Sequence, residues 1–125
     1  MWTFTETGFT SAVQHRDNPD LLVVRARDLL SLEPIVATNP DLEITSSATS
    51  DYPHRIIMSK TTYASWLVDN VSELSYPNFK NRVYQTRGQR FAHLLSDVWS
   101  TMLGAEDQAA QDVRDGYDAK YGWKD

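Results

Sequence analysis

The chain has 125 residues, 41% of them hydrophobic and none of them cysteine, and its formal net charge at pH 7 is -5. That length suits one domain with an ordinary core, and the apolar share argues against a wholly disordered chain. The lack of cysteine excludes a disulfide framework and a thiolate zinc centre, while the acidic balance disfavours nonspecific duplex-DNA binding by the whole surface.

The opening residues alternate. Trp2 and Phe4 point one way and Thr3 and Thr5 the other, which is the period of a half-buried strand. Thr7-Gly8 supplies turn chemistry, and Phe9 to Gln14 reads as the second arm of a hairpin. Met1 to Glu6 contain neither a basic stretch nor an apolar core of the secretory kind. No run of about 18 apolar residues follows, so the expectation is a cytoplasmic protein with no membrane association.

A polar loop from His15 to Asp20 leads into Leu21 to Arg27, a short apolar and partly β-branched segment that reads as a central strand. Its alternation places Arg25 and Arg27 on the face that carries Val23. Asp28 to Ala37 predicts a short helix, with Ser31 as its cap and Glu33-Pro34 in its first turn. Leu42 to Thr45 and His54 to Ser59 read as two further strands, able to pair as a second hairpin.

Ser59 or Thr61 caps the clearest helix in the chain. Tyr63, Trp66, Leu67, Asn70, Val71 and Leu74 follow at helical spacing. Ser75 to Asn78 breaks it. A second helical pattern runs from Asn78 to Met102, with Gly88 as a kink or interruption and Gly104 as the expected C-cap. Trp2, Phe4, Trp66 and Trp99 are assigned to the core. Beyond Ala105 the chain turns acidic. Asp107 to Arg114 favours helix, whereas Gly116 and Gly122 suggest a loose end. Tyr117, Tyr121 and Trp123 give that tail aromatic groups through which to dock.

The order of strands then helices predicts an α+β fold: an antiparallel sheet of about four to five strands with two C-terminal helices packed on one face. Residues 1–104 are expected to form a single α+β domain, and residues 105–125 an acidic tail that is partly helical or flexible.

One segment stands out against the acidic background. No Asp or Glu lies between Glu73 and Asp97, yet Lys80, Arg82, Arg87 and Arg90 all do. Helical spacing puts Lys80, Tyr84 and Arg87 on one face, and Val83, Arg87 and Arg90 on the next. Arginine forks beside a tyrosine suit phosphate, nucleotide or single-stranded nucleic acid. Solvated cations paired with nearby carboxylates are the plainer account. Arg25 and Arg27 complete an anion site if they share a cleft with Arg87; otherwise they decorate an exposed sheet face. The candidate ligand-binding set is therefore Arg25, Arg27, Lys80, Tyr84, Arg87 and Arg90.

His93 and Asp97 are one helical turn apart and can pair, but His15, His54 and His93 have no metal-ligand spacing. Neither a Gly-rich phosphate loop nor a nucleophile elbow is present, so no cofactor or catalytic residue is expected.

The opening Met1 to Val13, the strand Val23-Val24-Arg25-Ala26-Arg27, Tyr76-Pro77-Asn78-Phe79-Lys80 and Val98-Trp99 together resemble a family of small uncharacterised proteins of actinobacteriophages and some bacterial genomes. The resemblance spans roughly residues 1–103 and omits the tail. It implies no activity. It does imply a phage or prophage accessory protein made in a bacterial cytoplasm. The expected function is non-enzymatic binding of a host macromolecule or an anionic ligand, such as a nucleotide or RNA. The alternatives are a nucleotide- or phosphodiester-processing enzyme using His93, and a structural protein that forms homo-oligomers through an exposed strand edge.

Overall fold

A computed structural model of the chain describes residues 1–121, with side chains through Gly116. Five antiparallel strands form one sheet in the order β1-β2-β3-β5-β4. They are β1 Trp2–Thr5, β2 Gly8–Gln14, β3 Leu21–Ala26, β4 Thr45–Ser46 and β5 His54–Ser59. Five helices accompany them: α1 Glu33–Thr38, α2 Lys60–Ser72, α3 Phe79–Arg87, α4 Gln89–Met102 and α5 Gly104–Tyr121. The architecture is the expected α+β.

Strand alternation divides the apolar residues between the two faces of the sheet. Ala12, Val24, Ala26, Ile56 and Met58 build one core with Leu32 and Ile35 near and on α1 and with Tyr63 and Trp66 on α2. Ser59 starts α2 by accepting a hydrogen bond from the Thr62 amide at 3.1 Å, one of the two caps anticipated from sequence. Tyr63 and Trp66 stack with their centroids 5.7 Å apart. The Tyr63 hydroxyl meets the Thr10 hydroxyl at 2.7 Å, so neither buried polar group lacks a partner.

A smaller cluster lies apart from it. Val83, Ala92 and Leu95 pack with Phe4, Phe79 and Phe91. Phe4 stacks on its cross-strand neighbour Phe9 at 4.6 Å, and Phe9 faces away from Thr10. Helices α2 and α4 therefore address opposite faces of the sheet instead of sharing one face as expected, because their apolar stripes meet different strand residues. Asn78 caps α3 through the Asn81 amide at 3.0 Å. Gly88, at φ +87°, separates α3 from α4 in a conformation that side chains rarely adopt.

Four local expectations need correction. The strand expected at Leu42 to Thr45 shrinks to Thr45–Ser46, because Leu42 and Ile44 turn down to pack against the α1/α2 core. Ser31 does not cap α1, whose N-cap is Leu32 without a side-chain bond. Gly104 does not end α4. Leu103 keeps right-handed helical angles and the chain passes directly into α5. Trp2 and Trp99 are not core: they are 70% and 57% exposed. The expectations for Gly122 and Trp123 fall outside the described residues. Among the described residues, no helix is long and apolar enough to cross a membrane.

Candidate binding groove

The β1–β2 turn is where the sheet, the segment before α1 and helix α3 meet. Gly8 sits there at φ +154°, and a Cβ on it would lie 2.2 Å from the Ser31 hydroxyl oxygen and 2.9 Å from a nitrogen of Arg87. Only glycine allows that approach. Ser31 accepts a hydrogen bond from the Phe9 amide at 3.1 Å and donates its own hydroxyl proton to Asp28 at 2.6 Å. Arg87 donates to the other oxygen of Asp28 at 2.5 Å and to the Thr7 carbonyl at 2.9 Å. Its guanidinium also lies over the Phe91 ring, 3.9 Å from the centroid. Thr86 donates to the Glu6 carbonyl, and Arg82 pairs with the Glu6 carboxylate at 3.2 Å. These contacts tie α3 and the start of α4 to the hairpin.

Two ionisable groups respond to this packing. Burial pushes Asp28 up, but hydrogen bonds from Ser31 and Arg87 and the Arg87 charge outweigh it, leaving the carboxyl below its ordinary range. Tyr76 is raised, first by burial and then by the Glu6 charge, against the opposing pull of Arg82.

Arg25 on β3 and Arg27 just after it also find partners within the chain, although the buried Nε of Arg25 has no hydrogen bond. Arg25 donates to the Ser11 hydroxyl at 2.8 Å and lies 4.6 Å from the Tyr52 ring centroid. Arg27 lies 4.2 Å from the same centroid and pairs with Asp51 at 2.7 Å. Tyr52 is buried, and its φ of +53° is the only positive value outside glycine among the described residues. Such a backbone costs on the order of 1–3 kcal/mol and persists where its surroundings hold it. Here two cations and Phe9, 6.2 Å away, hold the ring.

Between these aromatics and α4 runs an open groove of about 710 Å³. Trp2, Phe4, Phe9 and Tyr52 form one wall and Phe91, Leu94, Leu95, Val98 and Met102 the other, with Arg27, Asp28 and Ser31 as the polar margin. Leu94 is 59% and Met102 60% exposed. A smaller hollow of about 440 Å³ adjoins it, lined in part by Phe79, Lys80 and Trp99. A continuous exposed apolar surface of this kind marks an interaction site more often than a scatter of single residues does.

The six candidate residues thus separate. Arg27 lines the groove, and Arg87 reaches its edge through Asp28 and Phe91. Arg25 turns to Ser11 and Tyr52. Lys80 lies over the Trp99 ring at 4.9 Å. Tyr84 and Arg90 are exposed, and Arg90 has no ion pair among the described residues. Lys80, Tyr84 and Arg87 do not present one common surface, because Arg87 turns inward to Asp28, leaving its side chain 9% exposed. Val83 is fully buried and does not join Arg87 and Arg90 in a ligand face. His93 and Asp97 are both exposed, with no ion pair between them. No cluster of three or more His, Asp or Glu side chains suited to a metal occurs among the described residues.

The joining of Gly8 and Arg87 to Ser31 and Asp28, and of Tyr52 to Arg25, Arg27 and Phe9, was not visible in the sequence, because these contacts join residues more than 20 apart. The groove wall on α4 was visible only as an apolar stripe. That stripe is wider than Phe4 and Phe9 can cover, and the excess is the groove.

No family model, curated protein or solved structure matches this chain. The resemblance drawn from sequence therefore transfers no residue role to the groove.

Proposed function

We propose that this chain is a non-enzymatic protein-binding domain that takes an apolar segment of a protein partner into the groove between β1–β2 and α4. The groove itself carries the reading: an uncovered apolar channel with Arg27 and Asp28 at its margin. Burying such surface drives association, and the margin provides orientation. A free-anion site has less support, because Arg25, Arg27, Arg82 and Arg87 already have partners within the chain. An enzymatic role for His93 has less again, since among the described residues no hydrogen-bond or ion-pair partner aligns its ring. The sequence resemblance favours a bacterial cytoplasm as the setting and a phage-encoded accessory protein as the class.

The test is selection of peptides from a random display library on the intact chain, with Leu94→Glu as the counter-target. Leu94 is exposed, so the substitution leaves the core intact. Peptides rich in apolar residues that bind the wild type and lose binding at least tenfold to Leu94→Glu are the expected result. Peptides that bind both proteins equally, or no enrichment at all, would refute the groove as a protein-binding site.

A further inference from the structure

Through Gly116, the described side chains of helix α5 have little within their own copy to rest on. The helix spans eighteen residues, Gly104–Tyr121. From Gly104 to Gly116 every side chain is exposed except the half-buried Asp115. Helices in proteins draw most of their stability from packing one face, and Gly116 weakens this helix further. Pairs such as Gln108 with Asp112 at 2.6 Å contribute only a few tenths of a kcal/mol each. Its apolar positions nevertheless repeat every four residues at Ala105, Ala109 and Val113, and Val113 is 72% exposed. The sequence continues that step at Tyr117 and Tyr121.

The groove needs a cover and α5 needs a surface, yet α5 cannot supply its own. Met102 lines the groove and α5 begins two residues later. Leu103 between them keeps right-handed helical angles, so the chain continues onward instead of turning back over Leu94. The dimensions fit an exchange. At 1.5 Å per residue α5 is about 27 Å long, and the stretch of α4 from Phe91 to Met102 is about 18 Å. The charges are complementary as well. The segment of α5 carries Glu106, Asp107, Asp112, Asp115 and Asp118 against Arg114 and Lys120. Arg27 at the groove margin is already paired with Asp51, but Arg90, one turn before Leu94 on α4, has no ion pair among the described residues.

We infer that the groove's occupant is helix α5 of a second copy of this chain, exchanged reciprocally to form a two-fold dimer. The inference rests on the groove reading above and names its partner. Each copy offers the same groove and the same helix, so one rotation fills both grooves and closes the assembly. Carboxylates of the incoming helix face Arg90, so association weakens as salt rises.

Sedimentation equilibrium on the full chain tests it, with Leu94→Glu and Val113→Glu alongside and circular dichroism to confirm that each variant is folded. Both positions are exposed in one copy. The wild type is expected to be a dimer. Each variant alone is expected to lose at least tenfold in association constant. An equal mixture of the two regains dimer, because the groove of Val113→Glu accepts the helix of Leu94→Glu. A wild type that stays monomeric across the concentration series overturns the inference. So does a Leu94→Glu protein that remains dimeric, which would mean that α5 pairs with itself or that another edge mediates contact. If the wild type is monomeric while Leu94-dependent peptides are selected, the groove serves a foreign partner. If both experiments fail, the groove reading falls with the dimer.

Discussion

The two faces of the sheet are built from similar residues and reach opposite ends. On the α1/α2 face, Val24, Ile56, Met58 and Tyr63 are each no more than 2% exposed. On the α4 face, Trp2, Leu94, Val98 and Met102 range from 39% to 70% exposed. The difference in exposure follows coverage, although the second face also carries Arg25 and Arg55 in register. α1 and α2 lie across the first face, whereas α4 touches the second along one side through Phe4 and Leu95. A face that is filled stabilises the fold; a face left half open is available for binding. The same apolar side chain therefore has a different role on each side.

The largest expected effect sharpens that contrast directly. Ile56→Ala leaves a cavity in a closed core and should lower unfolding free energy by about 2–5 kcal/mol. Leu94→Ala, in the open face, should stay within about 0.5 kcal/mol when measured on the same chain below its association range. Urea denaturation at matched concentration gives both values. Equal losses would mean that the α4 face is packed as tightly as the other, and the contrast would be lost.

Next in size is the joint that holds the two faces together. Gly8→Ala puts a Cβ against the Ser31 hydroxyl and should cost about 1–3 kcal/mol. Ser31→Gly removes the obstructing oxygen together with its bonds to Phe9 and Asp28. In the double variant the Gly8→Ala penalty should therefore be smaller than in the wild type, a positive coupling readable from a double-mutant cycle. Strict additivity would show that close approach to Ser31 is not what demands glycine.

The smallest effect is a pH dependence. Asp28 titrates below its ordinary range in the folded chain because Ser31 and Arg87 outweigh the effect of burial. Its folded pKa is lower than its unfolded one, so its contribution is complete above the unfolded value, near 4, and fades as pH falls through the folded value. Asp28→Asn should flatten the loss of stability below about pH 4 while leaving the slope from pH 6 to 8 unchanged. Arg87→Met should flatten the same acid limb. An unchanged acid limb in both variants would remove the Asp28–Arg87 pair from the joint's energetics.

Much of the scaffold was legible in local pattern. The strands at Trp2–Thr5, Leu21–Ala26 and His54–Ser59, the Ser59 cap and the Gly88 break were each marked by alternation, helical period or a residue with one preferred backbone role. The binding surface was not legible in the same way. Trp2 and Trp99 look like core in any sequence window, since hydrophobicity does not record whether another element arrives to cover it. The cationic run from Lys80 to Arg90 looked like one surface, but Arg82 and Arg87 are drawn inward by Glu6 and Asp28, carboxylates from distant parts of the chain.

By itself, the sequence determined the α+β class, most element positions and the lack of thiol chemistry, because strand alternation, helical period, capping and composition are properties of neighbouring residues. Only the tertiary structure decided which apolar face closes and which stays open. That outcome depends on where α2 and α4 come to rest. Gly8, Ser31, Asp28 and Arg87 set the position of α4 by contacts between residues far apart in the chain, where local periodicity has no reach.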